Sequence, residues 1–209
     1  MQIVTKKRIY KRPFDFLLCA IGLLFSLPLW LIFLLAIFLE DRDSIFFLQE
    51  RCGKRGKVFK SIKFRTIRVP KEEEGPHKIE DLEHDTRVIR VGRLLRATAL
   101  DELPQLINIL KGEMSFVGPR PLPYRIEDGE SNRYKALDEV PGYQLRSQVR
   151  PGLTGIAQVY AHKNINHRNK FRYDNLYVKN MSFWLDLKLL FLSLWITFRG
   201  RWERRGRKM

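Results

Sequence analysis

Residues 16–39 run for 24 positions without one charged side chain, and this run restricts the fold more than any other feature of the chain. At about 1.5 Å per residue, a helix of that length clears a bilayer core of about 30 Å. The run is too long for a secretory signal and lacks a small-residue cleavage site. It is also longer than the buried hairpin of a soluble protein needs. Ser26 and Pro28 sit in its middle. Proline removes a backbone hydrogen bond and bends a helix, and a serine hydroxyl can satisfy the freed group. Basic residues flank both ends: Lys6, Lys7, Arg8, Lys11 and Arg12 before it, Arg51, Lys54, Arg55 and Lys57 after it. The positive-inside rule then gives no orientation. Two arrangements meet these facts: a kinked span, or a re-entrant helix that breaks at Ser26, Leu27 and Pro28 and returns to the same face.

The remaining chain suits one catalytic body, so the 209 residues divide into a membrane segment, 1–43, and a catalytic domain, 44–209. A net charge of +16 calls for an anionic partner: nucleic acid, anionic lipid or a phosphorylated substrate. Nucleic acid is disfavoured, because the aromatics cluster in apolar runs and no binding motif is present. Cys19 and Cys52 fit no metal spacing or disulfide framework, which favours a reducing compartment. His77, His84, His162 and His167 form no ligand motif.

The chemistry centres on Leu100, Asp101, Glu102, Leu103, Pro104, Gln105 and Leu106. Leu103, Leu106, Ile107 and Leu110 have the spacing of a one-sided helix. Proline is tolerated in a helix's first turn, so the helix is predicted to start near Asp101, with Gly112 as its stop. Asp101 and Glu102 then lie at the positive end of a helix dipole, which favours their ionised forms and attracts phosphate. An acidic pair at a helix start most often only caps it. With Arg93, Arg96 and Arg120 nearby in sequence, the same pair suits a metal-assisted phosphate site.

Residues 44–66 read as a β-hairpin around Gly53 and Gly56. In its second strand Ile62 and Phe64 alternate with Lys63 and Arg65, giving an apolar and a basic face. Residues 68–85 read as a charged surface loop, and 86–97 as a basic amphipathic helix carrying Arg96. Arg120 lies in a Gly-Pro-Arg-Pro stretch and Arg150 in Arg-Pro-Gly, both on stiff loops that suit an anion-binding guanidinium. Residues 125–148 carry little signal. Residues 183–198 are apolar, but Asp186 and Lys188 disfavour a second span. With Trp184, Trp195, Trp202 and the basic residues after 198, this stretch reads as an interfacial helix with a polybasic tail, its first half equally suited to core packing.

Several stretches, in order, resemble the small monotopic bacterial sugar transferases, the polyprenyl-phosphate sugar-1-phosphate transferases. They are Lys11, Arg12 and Asp15; FKSIKFRT at 59–66; residues 100–106; KGEMSFVGPRP at 111–121; RPGLTGIAQV at 150–159; and Asp174 with Tyr177, Val178, Lys179 and Asn180. The resemblance implies a mostly α fold with a small β-hairpin. An N-terminal re-entrant helix-break-helix would join a compact cytoplasmic catalytic domain with interfacial amphipathic helices. It implies transfer of a sugar 1-phosphate from a UDP-sugar to polyprenyl phosphate with Mg²⁺, releasing UMP. This is the first membrane step of glycoconjugate or exopolysaccharide synthesis. The family's acidic pair falls on Asp101, as nucleophile, and Glu102, as metal ligand. Lys63, Arg96 and Arg120 fall near the phosphates, and Arg150 joins them as a candidate. The resemblance is to the minimal catalytic form, without the extra membrane helices of larger members. Where many members carry Asn-Gly-Arg-Asn, this chain reads Tyr160, Ala161, His162, Lys163 and Asn164, so no nucleotide contact is assigned there. The implied location is the cytoplasmic face of the bacterial inner membrane, where UDP-sugars are found; a homo-oligomer stays open.

Overall fold

One helix, α1 (Lys11–Asp41), takes up the whole apolar run. The computed structural model describes residues 8–68, 85–127, 134–162 and 165–199. After α1 come β1 (Phe46–Cys52), β2 (Val58–Phe64), α2 (Arg90–Thr98), α3 (Gln105–Lys111), β3 (Ser115–Val117), β4 (Arg125–Glu127) and β5 (Tyr134–Ala136). Then follow α4 (Tyr143–Arg146), β6 (Gly152–Thr154), α5 (Ile156–Tyr160), α6 (His167–Asn180) and α7 (Phe183–Phe198). Most of the expected 68–85 loop, Lys6, Lys7, Lys163, Asn164 and the basic residues beyond 199 lie outside the described residues.

The expected break in α1 is not there: Ser26, Leu27 and Pro28 stay helical. Proline removes one hydrogen bond and bends a helix without forcing the backbone out of helical angles. The Ser26 hydroxyl bonds the Leu23 carbonyl at 3.4 Å and accepts from Trp30 Nε1 at 3.1 Å. At 31 residues α1 is about 46 Å long. One stripe, Asp15, Cys19, Ser26, Phe33 and Ile37, is buried, while Leu24, Phe25, Leu31, Ile32, Leu35 and Leu39 are exposed.

Both ends of α1 dock on the same body. At its start the Arg12 guanidinium donates to the carbonyls of Ile109 and Leu110, at 2.5 and 2.6 Å, and so caps α3. Asp15 accepts from the Ser115 hydroxyl at 2.8 Å and the Phe116 N–H at 3.1 Å. At its end Glu40 accepts from the N–H groups of Arg90 and Val91, the open donors of α2's first turn. Asp41 pairs there with Arg65 at 2.9 Å and Arg68 at 3.1 Å.

The predicted hairpin is present, β1 antiparallel to β2 from Phe46↔Phe64 to Cys52↔Val58. Its faces differ from the expected pattern. Phe64 is buried among Trp30, Phe33 and Phe46. Lys63 shares its face with buried Phe59 and Ser61, so it is turned inward. The buried Asn108 amide of α3 fixes the hairpin's position. It accepts from the Ile62 N–H at 3.1 Å and donates to the Lys60 carbonyl at 2.8 Å, continuing β2's free edge.

The predicted basic helix is α2, and it starts at Arg90 because Ile89 is still extended. The central helix also starts later than expected. Ala99 adopts φ 58° and ends α2; Leu100–Glu102 form a 3-10 turn, and α3 begins only after Pro104. Asp101 and Glu102 therefore sit in a tight turn ahead of the helix, not in its first turn. Gly112, at φ 79°, stops α3 as predicted.

The two Pro/Gly stretches lie side by side as β3 and β6, parallel, with Ser115↔Gly152 and Val117↔Thr154. A Cβ on Gly152 would lie 2.1 Å from the Gly118 nitrogen, and one on Gly118 2.5 Å from the Arg150 carbonyl oxygen. Only glycines permit this approach. Residues 125–148 contain β4 paired with β5, then α4. The first half of α7 packs into the core through Leu185 and Leu189, while Trp184, Phe191, Leu194, Trp195 and Phe198 are exposed. Asp186, which disfavoured a span, is wholly buried and accepts from Lys11 at 2.7 Å, Tyr10 at 3.0 Å and Tyr177 at 2.7 Å.

Candidate active site

The 3-10 turn, the hairpin and the β3–β6 loops converge on one cavity of about 840 Å³. Asp101, Glu102, Lys63, Arg96 and Arg120 all line it. These five were expected at the site, and the fold brings them together from residues 57 positions apart in the chain. Arg150 is not in the cavity. Its Nε donates to the Gly112 carbonyl at 2.7 Å and secures the end of α3.

Glu102 is the anchor of the charge cluster. Its Oε1 accepts from Lys63 Nζ at 2.5 Å and from Arg120 Nη2 at 3.1 Å. Its Oε2 takes no hydrogen bond from the described residues. Asp101 accepts no hydrogen bond at all from them; its nearest cation is Lys63, 3.9 Å from Oδ2. The two acids are pushed apart in acidity. Burial raises Asp101 to about 6, helped by the Glu102 charge and opposed by Lys63, Arg96 and Arg120. Burial also acts on Glu102, but Lys63 and Arg120 outweigh it and bring it down to about 2. Asp101 is thus mostly ionised at neutral pH, with its oxygens unengaged. That state suits a nucleophile. Divergent acidity in one pair assigns different roles to its members.

The sequence reading did not place Arg51 and Lys170 at the site, yet both line the cavity. Arg51, on β1, is lowered to about 10 by burial and by the like charge of Arg120. Lys170, on α6, is lowered by burial and by Arg120. Neither has a carboxylate partner among the described residues, and the buried Arg96 Nε has no hydrogen-bond partner there. Arg51 precedes the hairpin turn as one more basic residue, and Lys170 lies in a polar helix. No pattern in the chain singles out either.

Arg146 and Asp174 form a buried pair behind this wall, Nε to Oδ2 at 2.9 Å. Arg146 rests on the Phe171 ring at 4.4 Å and donates to the Arg120 carbonyl at 2.7 Å, so it fixes the loop that aims Arg120. Asp174 belongs to the family resemblance, whereas Arg146 lies in the 125–148 stretch that carries little signal.

The donor set can be tested against Mg²⁺. Among the described residues no group of three or more His, Cys, Asp or Glu can hold a metal ion. Mg²⁺ commonly takes one or two carboxylates, several waters and substrate phosphates. Glu102, with its open Oε2, and Asp101 beside it fit that pattern.

A family model described as bacterial sugar transferase matches residues 6–200. A UDP-glucose:undecaprenyl-phosphate glucose-1-phosphate transferase of Klebsiella pneumoniae is 36% identical over 195 residues, 91% of this chain and 40% of that protein. The exopolysaccharide production protein ExoY of Rhizobium meliloti is 36% identical over 197 residues, 88% of this chain and 83% of its own. A UDP-N-acetylgalactosamine-undecaprenyl-phosphate N-acetylgalactosaminephosphotransferase of Aeromonas hydrophila is 39% identical over 193 residues, 91% and 44%. The chain thus spans less than half the length of the first and third of these relatives and most of the second.

Proposed function

The chain belongs to the bacterial sugar transferase family, and on that premise we propose that it transfers a sugar 1-phosphate from a UDP-sugar to a polyprenyl phosphate, releasing UMP. The observation that carries this reading is Asp101: buried, unengaged by hydrogen bonds from the described residues, and lining a cavity with Lys63, Arg96, Arg120, Arg51 and Lys170. Phosphoryl transfer demands little of a protein beyond placing groups and neutralising charge. Lys63, Arg96 and Arg120 would hold the diphosphate oxygens, with Arg51 and Lys170 beside them. Asp101 attacks the phosphorus next to the sugar; the bond from that phosphorus to the UMP oxygen breaks and UMP leaves. The phosphate oxygen of the lipid then attacks the same phosphorus and frees the Asp101 carboxylate. This is ping-pong chemistry, in which the soluble donor and the lipid acceptor need not be bound together.

Glu102, with Asp101, would hold Mg²⁺. When bound, the ion supplies neutralisation of charge on the diphosphate oxygens.

The docking of α1 supports a placement of the unbroken helix with both its ends at one membrane face. Its start and its end both carry charged contacts to one body, at Arg12 and Asp15 and again at Glu40 and Asp41. A full span would pull that body through the bilayer, and burying its charges in hydrocarbon is prohibitive. The apolar outer faces of α1 and α7 would then enter the cytoplasmic leaflet, beside a site supplied with UDP-sugar.

The test is UMP release. The protein, Mg²⁺ and a panel of UDP-sugars are combined with and without polyprenyl phosphate. One UDP-sugar is expected to give equimolar UMP without lipid and continuous release with it. Release only when lipid is present contradicts the ping-pong order; no release with any donor contradicts the activity.

A further inference from the structure

We propose that the apolar lining of the Asp101 cavity forms a slot for the isoprenyl chain of the acceptor lipid, entered between α1 and α7; the inference rests on the transferase reading above. The cavity lining combines two kinds of residue. Arg51, Lys63, Arg120 and Lys170 give it charge. Gly22 of α1, Leu106 of α3, Leu153, Ala157 of α5, and Leu194 of α7 give it apolar surface, with Ser193 beside Leu194 in the chain. Asp101 lies on the same cavity, so a phosphate led in by a chain in the slot reaches the carboxylate.

α1 and α7 meet near their starts, where Tyr10 and Phe14 set their ring edges against Phe183 at 5.8 and 5.3 Å and Lys11 pairs with Asp186. Farther along, both helices line the cavity, through Gly22 of α1 and Ser193 and Leu194 of α7. Leu194 belongs to both surfaces: it lines the cavity and is 53% exposed, continuous with Phe191 and Phe198 on the bare apolar face of α7. An apolar surface that runs from the outer faces into a phosphate-binding cavity fits a lipid with one chain and a phosphate head. A phospholipid would have to bring two chains through the same opening.

Space at Gly22 makes the slot testable. A Cβ there meets Leu106 at an ordinary 3.6 Å, so Gly22→Ala is accommodated. Gly22 and Ser193 both line the cavity, so an aromatic ring at either position takes up space there.

The experiment uses the full chain in nanodiscs with a polyprenyl phosphate bearing a diazirine in its chain, crosslinked by light and mapped by mass spectrometry. Labels are expected on Leu106, Leu153, Ala157 and Leu194. Unlabelled polyprenyl phosphate should compete and a phosphatidylglycerol should not. Gly22→Phe and Ser193→Phe should each reduce labelling about tenfold, the equivalent of about 1.4 kcal/mol, with Gly22→Ala unchanged. Two variants on separate helices guard against one that fails to fold. Labels confined to outward residues such as Leu24, Leu35 and Phe198 overturn the proposal, as does equal competition by phosphatidylglycerol. The readout needs no turnover, so it stands apart from the UMP assay that judges the transferase reading itself.

Discussion

Two clusters in this molecule join buried carboxylates to a lysine, and they differ in balance. Asp186 receives Lys11, Tyr10 and Tyr177 and is wholly enclosed. Every group there has its partner, and the cluster ties α1, α6 and α7 together. At the other cluster, Asp101 and Glu102 line one cavity with Lys63, Arg96, Arg120, Arg51 and Lys170. The cations lining it exceed the acids, and Asp101 accepts no hydrogen bond from the described residues. The same side-chain chemistry anchors a fold when it is balanced and readies a site for an anion when it is not. A buried pair adds little stability against an apolar replacement, but removing one partner leaves a costly charge. The Asp186 cluster should therefore break the fold when altered, and the Asp101 cluster should break only the reaction.

The largest contrast is expected from Asp101→Asn, which should lower transfer about 10³-fold or more without lowering the unfolding midpoint. Loss of folding instead would move Asp101 into the structural class. Lys11→Met should do the opposite. It strands Asp186 and should cost about 3 kcal/mol in denaturant unfolding, with turnover per folded molecule nearly unchanged.

Acidity gives a third and smaller contrast. Burial holds Asp101 above its free value of 3.8, at about 6, so the protonated form favours folding. That contribution is complete below the free value and is lost as pH rises through about 6. In metal-free protein, Asp101→Asn should then stabilise by about 2 kcal/mol at pH 8 and by little at pH 3.5, read as a shift in Tm. A stabilisation that grows toward low pH would reverse the assignment. The smallest effect is expected at the surplus cations. Arg51→Gln and Lys170→Met should each weaken UMP binding about tenfold in calorimetry without changing the unfolding midpoint. Unchanged binding would remove them from the phosphate site.

The parts of this architecture that were legible in the chain are those set by local rules. The uncharged run gave α1, the glycine-bounded turn gave the hairpin, and Gly112 stopped α3. Asp101, Glu102, Lys63, Arg96 and Arg120, which share one cavity, sit in or near stretches with a strong pattern or family likeness. The misses have physical causes. Pro28 bends a helix without ending it, so the residue type alone does not decide for a break. The late start of α3 depends on the left-handed backbone of Ala99, a conformation that alanine seldom advertises. β3 and β6 are three residues each and 35 or more positions apart, too short for any periodicity. Arg150 looked like its counterpart Arg120, but its neighbour in space is the end of α3. Arg146 and Asp186 gain their roles from partners brought in by tertiary packing, and Lys170 from the cavity that packing makes it line.

The central claim is that Asp101 carries the sugar phosphate between the two substrates. Mass spectrometry of protein incubated with its UDP-sugar and no lipid tests it most directly. The account predicts an added sugar-phosphate mass on the peptide containing Asp101, discharged when polyprenyl phosphate is supplied and absent from Asp101→Asn. An unmodified peptide in protein that turns over fully once both substrates are present would contradict it.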